Sequence, residues 1–188
     1  MILYFALAIQ IMTATKNEKK ELKETIQIII TGGTIDSFFN PTKDGTDIGR
    51  KVFTPDFLKQ MNLHNPLEFT SLFLKDSRDI RYKDRQELLK AIQNSKHKLI
   101  LITHGTYTMP DTGQYLKDNL KVTDKTIVLT GSMIPLKGFD FSDAAFNLGY
   151  AIANLQSLSP GIYLCMNGKV FDPEKVDKNK IKGRFEEI

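Results

Sequence analysis

The sequence predicts an α/β fold in three layers, a mostly parallel sheet with helices on both faces. Three observations predict it. Short aliphatic runs recur along the chain, amphipathic helical patterns sit between them, and polar, glycine-bearing segments follow several of the runs directly. Runs with no polar alternation suit strands covered on both sides.

Residues 25–30 (TIQIII) read as the first strand, stopped by the turn signal Thr31-Gly32-Gly33. A turn or two of helix fits 55–60. Residues 67–74 (LEFTSLFL) are the second strand candidate. A helix over 84–95 places Leu88, Ala91 and Ile92 on one face. Residues 98–103 (KLILIT) are the third strand, 111–120 a shorter helix, and 126–130 (TIVLT) the fourth strand. Over 140–155, Ala144, Ala145, Leu148, Ala151, Ile152 and Leu155 recur at helical spacing. Residues 161–166 (GIYLCM) are the fifth strand. The series is a Rossmann-like (flavodoxin-like) arrangement, in which the ligand crevice lies beyond the carboxyl ends of the strands. The segments 31–34, 75–79, 104–108, 131–135 and the residues from Asn167 onward are therefore expected at one edge of the sheet.

The chain has 188 residues, the size of one domain. Residues 25–188 are expected to form it, with 1–24 as a lead-in. Residues 1–12 are almost wholly apolar but shorter than the roughly 20 needed to span a bilayer. They lack a positive leading segment and read as a start placed too early, with Met12 as initiator; a weak export signal is the alternative. The expected location is cytoplasmic, or exported if residues 1–12 act as that signal.

Charged residues make up 26% of the chain and the net charge is +4, with cations and acids interleaved. Nucleic acid is not an expected partner, because capture of phosphates needs clustered cations. No membrane contact is expected. His64, His97 and His104 are scattered, and the one cysteine, Cys165, lies in an apolar run as a core thiol. No metal and no cofactor are expected. There is no Gly-x-Ser-x-Gly elbow, and 31–34 is neither Gly-x-Gly-x-x-Gly nor a phosphate loop.

Thr31-Gly32-Gly33-Thr34 lets the backbone turn tightly and approach a ligand, although a plain strand-to-helix turn explains it equally. In 104–108 (HGTYT), Thr108 and Asp111 form a capping-box pattern with Pro110 between them. Thr106 is then placed at a helix N-terminus, where N–H groups favour a carboxylate or a developing oxyanion; a helix cap is the plain alternative.

Two segments, 31–35 (TGGTI) and 103–109 (THGTYTM), closely resemble the signature motifs of bacterial-type L-asparaginases. Supporting matches are 76–79 (DSRD), 131–135 (GSMIP), 142–147 (SDAAFN), Met166-Asn167, and 170–172 (VFD) through Lys178. They occur in the family's order and run from residue 25 to about 180, the region of that family's N-terminal domain. The resemblance implies hydrolysis of the side-chain amide of L-asparagine or a close analogue. It implies Thr34 as nucleophile, Thr106 as the second threonine beside a lysine, Lys178 as that lysine, and Ser77 as the holder of the substrate carboxylate. Gly33, Asp76, Arg78, Gly105 and Ser132 fall in matched segments and are expected to border the substrate, a small amide or amino acid. A homodimer or higher homo-oligomer is expected by the same resemblance.

The chain departs from the family in three ways. Tyr107 stands where the family carries an aspartate, the loop over 36–52 holds no tyrosine, and the family's second domain has no counterpart here. Tyr107 is therefore expected to supply the phenol that the loop lacks. Loss of the aspartate also predicts weaker selection for an α-ammonium group. Two other readings stay open: a paralogue that binds a small carboxylate without turnover, and a different amide or ester hydrolase on the same scaffold.

Overall fold

A computed structural model describes residues 23–49, 51–121 and 124–188; the apolar start and most of the lead-in lie outside the described residues. Strand β1 (Ile26–Gly32) is buried along its whole length, as its isoleucine content requires. It runs into a 3-10 turn, Thr34–Asp36. Strands β2 (Ser37–Asn40) and β3 (Gly45–Ile48) follow as an antiparallel hairpin, then helix α1 (Thr54–Gln60) and strand β4 (Leu67–Lys75). A 3-10 turn, Ser77–Asp79, leads to helix α2 (Tyr82–Asn94), strand β5 (Leu99–Thr103) and helix α3 (Met109–Asn119). Strand β6 (Thr126–Thr130), helix α4 (Ala144–Leu155), strand β7 (Gly161–Met166) and strand β8 (Lys169–Phe171) come next. Strands β9 (Val176–Asn179) and β10 (Arg184–Glu187) form a second hairpin.

The main sheet has the order β4-β1-β5-β6-β7-β8. Its first five strands are parallel, and β8 turns back on β7. Numbered along the chain, the parallel strands run 2-1-3-4-5, the flavodoxin order expected from the sequence. The order reverses between β1 and β5. Connections leaving those two strands pass to opposite faces, so a crevice opens between their carboxyl ends.

Each face buries its own half of the alternating side chains. Ile29, Ile100, Ile102, Ile127, Leu129 and Leu164 pack with Leu88 and Ile92 of α2 and Met109 and Leu116 of α3. Ile28, Ile30, Leu101 and Val128 pack on the other face with Leu58 of α1 and Leu148, Ala151 and Leu155 of α4. Among the described residues, no helix is long and apolar enough to cross a membrane.

Three local expectations are corrected. The loop over 36–52 contains the β2–β3 hairpin, closed by Asp44 at φ 46 ahead of Gly45 and by Asn40, whose side chain accepts from the Thr42 amide. Helix α4 starts at Ala144 and not at 140, because the Ser142 hydroxyl accepts from the Ala144 amide and leaves 140–142 outside the helix. The capping box at Thr108 does not form: its hydroxyl donates to the Ser77 carbonyl, 2.7 Å away, and so ties two loops together.

Candidate active site

The loops beyond β1, β4, β5 and β6 touch one another backbone to backbone. Gly33 lies at φ 84 and has no room for a side chain: a Cβ there would sit 2.4 Å from the Cα and N of Gly105. A Cβ on Gly105 would sit 2.7 Å from the Ser77 side chain, and one on Gly131 would sit 2.3 Å from the His104 carbonyl oxygen. The Thr31 hydroxyl donates to the Thr103 carbonyl (2.8 Å) and the His104 amide to the Thr130 carbonyl (2.8 Å). Gly33→Ala is therefore expected to cost about 3 kcal/mol or more, from positive φ and overpacking together. A fall in the urea midpoint checks it; an unchanged midpoint refutes the close seating.

Above these turns opens a cavity of about 260 Å³. Every site residue named from the sequence except Ser132 lines it. Gly33 and Thr34 come from the end of β1, Asp76, Ser77 and Arg78 from beyond β4, and Gly105, Thr106 and Tyr107 from beyond β5. Lys178 comes from β9, a polar hairpin strand distant in sequence. Thr46 of β3 and Met133 also line it and were not expected. A larger hollow, about 660 Å³, lies beside Leu99 at the opposite, amino end of the sheet, away from these polar loops.

Ser132 is a correction. It is buried, and its hydroxyl donates to the Ile134 carbonyl (2.6 Å), so it shapes its own loop and Met133 faces the cavity instead. Asp143 fixes that loop: its carboxylate accepts from the Met133 and Ile134 amides and from the Asn147 side chain.

Lys178 Nζ donates to Thr106 Oγ1 at 2.6 Å. The same nitrogen lies 4.1 Å from the centroid of the Tyr107 ring. Among the described residues no carboxylate is within ion-pair distance of Lys178. Partial burial, and then the like charges of Lys180 and Arg78, lower its pKa from the ordinary lysine value. The Thr34 hydroxyl makes no hydrogen bond with any described residue, which leaves it available to a substrate.

Tyr107 meets its surroundings with its ring. Arg78 Cζ lies 5.0 Å and Lys180 Nζ 5.7 Å from the ring centroid, so three cations neighbour one aromatic system. Its hydroxyl has no hydrogen-bond partner among the described residues. Its amide donates to Ser77 Oγ (3.2 Å), which leaves the hydroxyl proton of Ser77 free for an anionic group. Asp76 is committed elsewhere. Arg78 donates to it from Nε (3.0 Å), from Nη2 (2.7 Å) and from its backbone amide (2.9 Å).

Two other groups are inert by burial. His104 Nδ1 lies 2.8 Å from the Gly105 carbonyl, which can only accept, so Nδ1 carries the proton; burial pushes its pKa down to about 4 and keeps the ring neutral. Burial likewise pushes the Cys165 thiol up to about 12, as a core position requires.

Comparison with known proteins fits this arrangement. Residues 25–184 match the family model described as Asparaginase, N-terminal. The glutaminase-asparaginase of Acinetobacter glutaminasificans is 32% identical over 168 residues, which cover 83% of this chain and 50% of that protein. The L-asparaginase of Thermococcus kodakarensis is 29% identical over 159 residues, 80% of this chain and 46% of its own length. The solved structure of the thermostable T. kodakarensis L-asparaginase superposes with a TM-score of 0.73 at 26% identity, covering 87% of this chain and 51% of that one. A probable cytoplasmic L-asparaginase from Campylobacter jejuni superposes with a TM-score of 0.66 at 27% identity, covering 83% of this chain and 48% of that one. The chain thus spans about half the length of the relatives it matches. With residues 25–184 matched by the family model, the chain belongs to the asparaginase family, in the region of its N-terminal domain.

Proposed function

We propose that the cavity hydrolyses the side-chain amide of L-asparagine or a close analogue to the acid and ammonia, with Thr34 as nucleophile. The observation that carries this reading is an uncommitted Thr34 hydroxyl sharing one small cavity with a hydrogen-bonded Thr106–Lys178 pair. An alcohol needs a base to attack an amide, because its own pKa is far too high. A lysine held below its ordinary pKa is such a base once neutral. Thr34 Oγ bonds to the amide carbon while its proton passes through Thr106 to Lys178. The C–N bond then breaks, the nitrogen takes that proton, and ammonia leaves. Water cleaves the resulting threonyl ester, so amide plus water gives carboxylate plus ammonium. Ser77 is positioned to donate to the substrate's carboxylate.

A coupled ammonia assay over a panel of small primary amides tests the reading. Ammonia release from a four-carbon amide is expected. Binding of small carboxylates with no release from any amide would favour a non-catalytic paralogue, the reading that Tyr107 and the tyrosine-free hairpin support.

Tyr107 belongs to this machinery through its ring. A cation over an aromatic face contributes about 1–2 kcal/mol when partly desolvated. It holds Lys178 against Thr106 with less pull on the proton than a carboxylate exerts. Tyr107→Ala is expected to lower kcat roughly five- to thirtyfold, and Tyr107→Phe, which keeps the ring, to lower it less. If Phe is as damaging as Ala, the hydroxyl and not the ring is what matters, as the sequence alone suggested.

A further inference from the structure

The charges around the cavity constrain what enters it. Arg78 and Lys178 line the wall, and Lys180 approaches the same Tyr107 ring from outside. Asp76 is the one acid among the described lining residues, and both its oxygens are taken up by Arg78. Asp143, the next acid to act on Lys178, has both oxygens engaged by the Met133 and Ile134 amides and the Asn147 side chain. An ammonium group entering here meets the unpaired charges of Lys178 and Lys180 beside a mutually paired Arg78 and Asp76, and, among the described residues, no unengaged carboxylate. A carboxylate entering meets the free hydroxyl proton of Ser77 and a net excess of cations.

We propose that the site takes primary ω-amides of dicarboxylic acids that carry no α-ammonium group, succinamate being the probe, in preference to the corresponding amino acids. The selection is by repulsion as much as by attraction, since like charge facing the wrong substrate discriminates without new contacts. Tyr107 is the specificity-determining position, because it places an aromatic ring where a carboxylate would pair with both Lys178 and an incoming ammonium. This inference rests on the hydrolase reading for its kinetic arm.

The test compares kcat/KM for ammonia release from succinamate and L-asparagine in the wild-type chain. Succinamate is expected to be favoured at least tenfold, and Tyr107→Asp to shift the ratio at least tenfold toward asparagine. Equal rates, or faster turnover of asparagine by wild type, overturn the proposal while leaving the hydrolase reading intact. Should no amide release ammonia, it is the hydrolase reading that fails. Calorimetry with the products, succinate against L-aspartate, then decides the charge preference without turnover. Tighter binding of succinate sustains the proposal; aspartate binding as well or better, or no binding of either, overturns it.

Discussion

Replacing Thr34 with alanine is expected to abolish ammonia release, by on the order of 10⁴- to 10⁶-fold in kcat, as removal of a nucleophile does elsewhere. The fold should not notice. The Thr34 hydroxyl makes no hydrogen bond with any described residue, and its turn is held by the Asp36 amide on the Gly33 carbonyl (3.2 Å) and the Ser37 hydroxyl on the Thr34 carbonyl (2.8 Å). Neither bond uses the side chain that is lost. The unfolding midpoint should stay within about 0.5 kcal/mol of wild type, the usual range for a substitution that breaks no contact. An alanine variant retaining more than a tenth of the wild-type rate would remove Thr34 from the reaction.

Lys178→Met is expected to cost roughly 10²- to 10⁴-fold, the range for a positioned general base. Its pH signature is more informative than its size. A base works when neutral, so kcat/KM in the wild type should rise with pH through the Lys178 pKa. Burial, Lys180 and Arg78 all lower that pKa, so the rise should be complete at lower pH than for an ordinary lysine near 10.5. Removing a like charge works in the opposite sense: Lys180→Ala should raise the Lys178 pKa and move the limb to more alkaline pH. The methionine variant should lose the limb altogether. A limb that survives in Lys178→Met belongs to some other group and ends the assignment of Lys178 as base.

The centre of the sheet was readable from the sequence because β1, β5 and β6 are buried along their whole lengths and so appear as nearly unbroken apolar runs. The carboxyl-end rule then selected the loops at 31–34, 75–79 and 104–108 without any knowledge of contacts. What escaped was local. Asp44-Gly45 and Asn167-Gly168 are hairpin signals of the strongest short-range kind, yet the first joins two short polar strands and the second leads from the legible β7 into a strand of only three residues. Lys178 had no local signal at all; its polar strand reads as surface, and resemblance to the family was the only guide. The exchange of Ser132 for Met133 was not readable either. Which of two adjacent residues faces the cavity depends on Asp143, ten positions farther along, gripping the loop's amides.

The seating of Gly33 on Gly105, and of Gly105 on Ser77, has a bearing on how such a pocket diversifies. The spacing of the Thr34 and Thr106 hydroxyls is set by glycine main chain resting on its neighbours, much as bearings are set by a machined block. Substitutions at Arg78, Tyr107, Met133 or Thr46 redecorate the walls without shifting that block. Under the proposed reaction, selectivity is thereby free to drift across amides of different charge while Thr34 and Thr106 keep their mutual alignment.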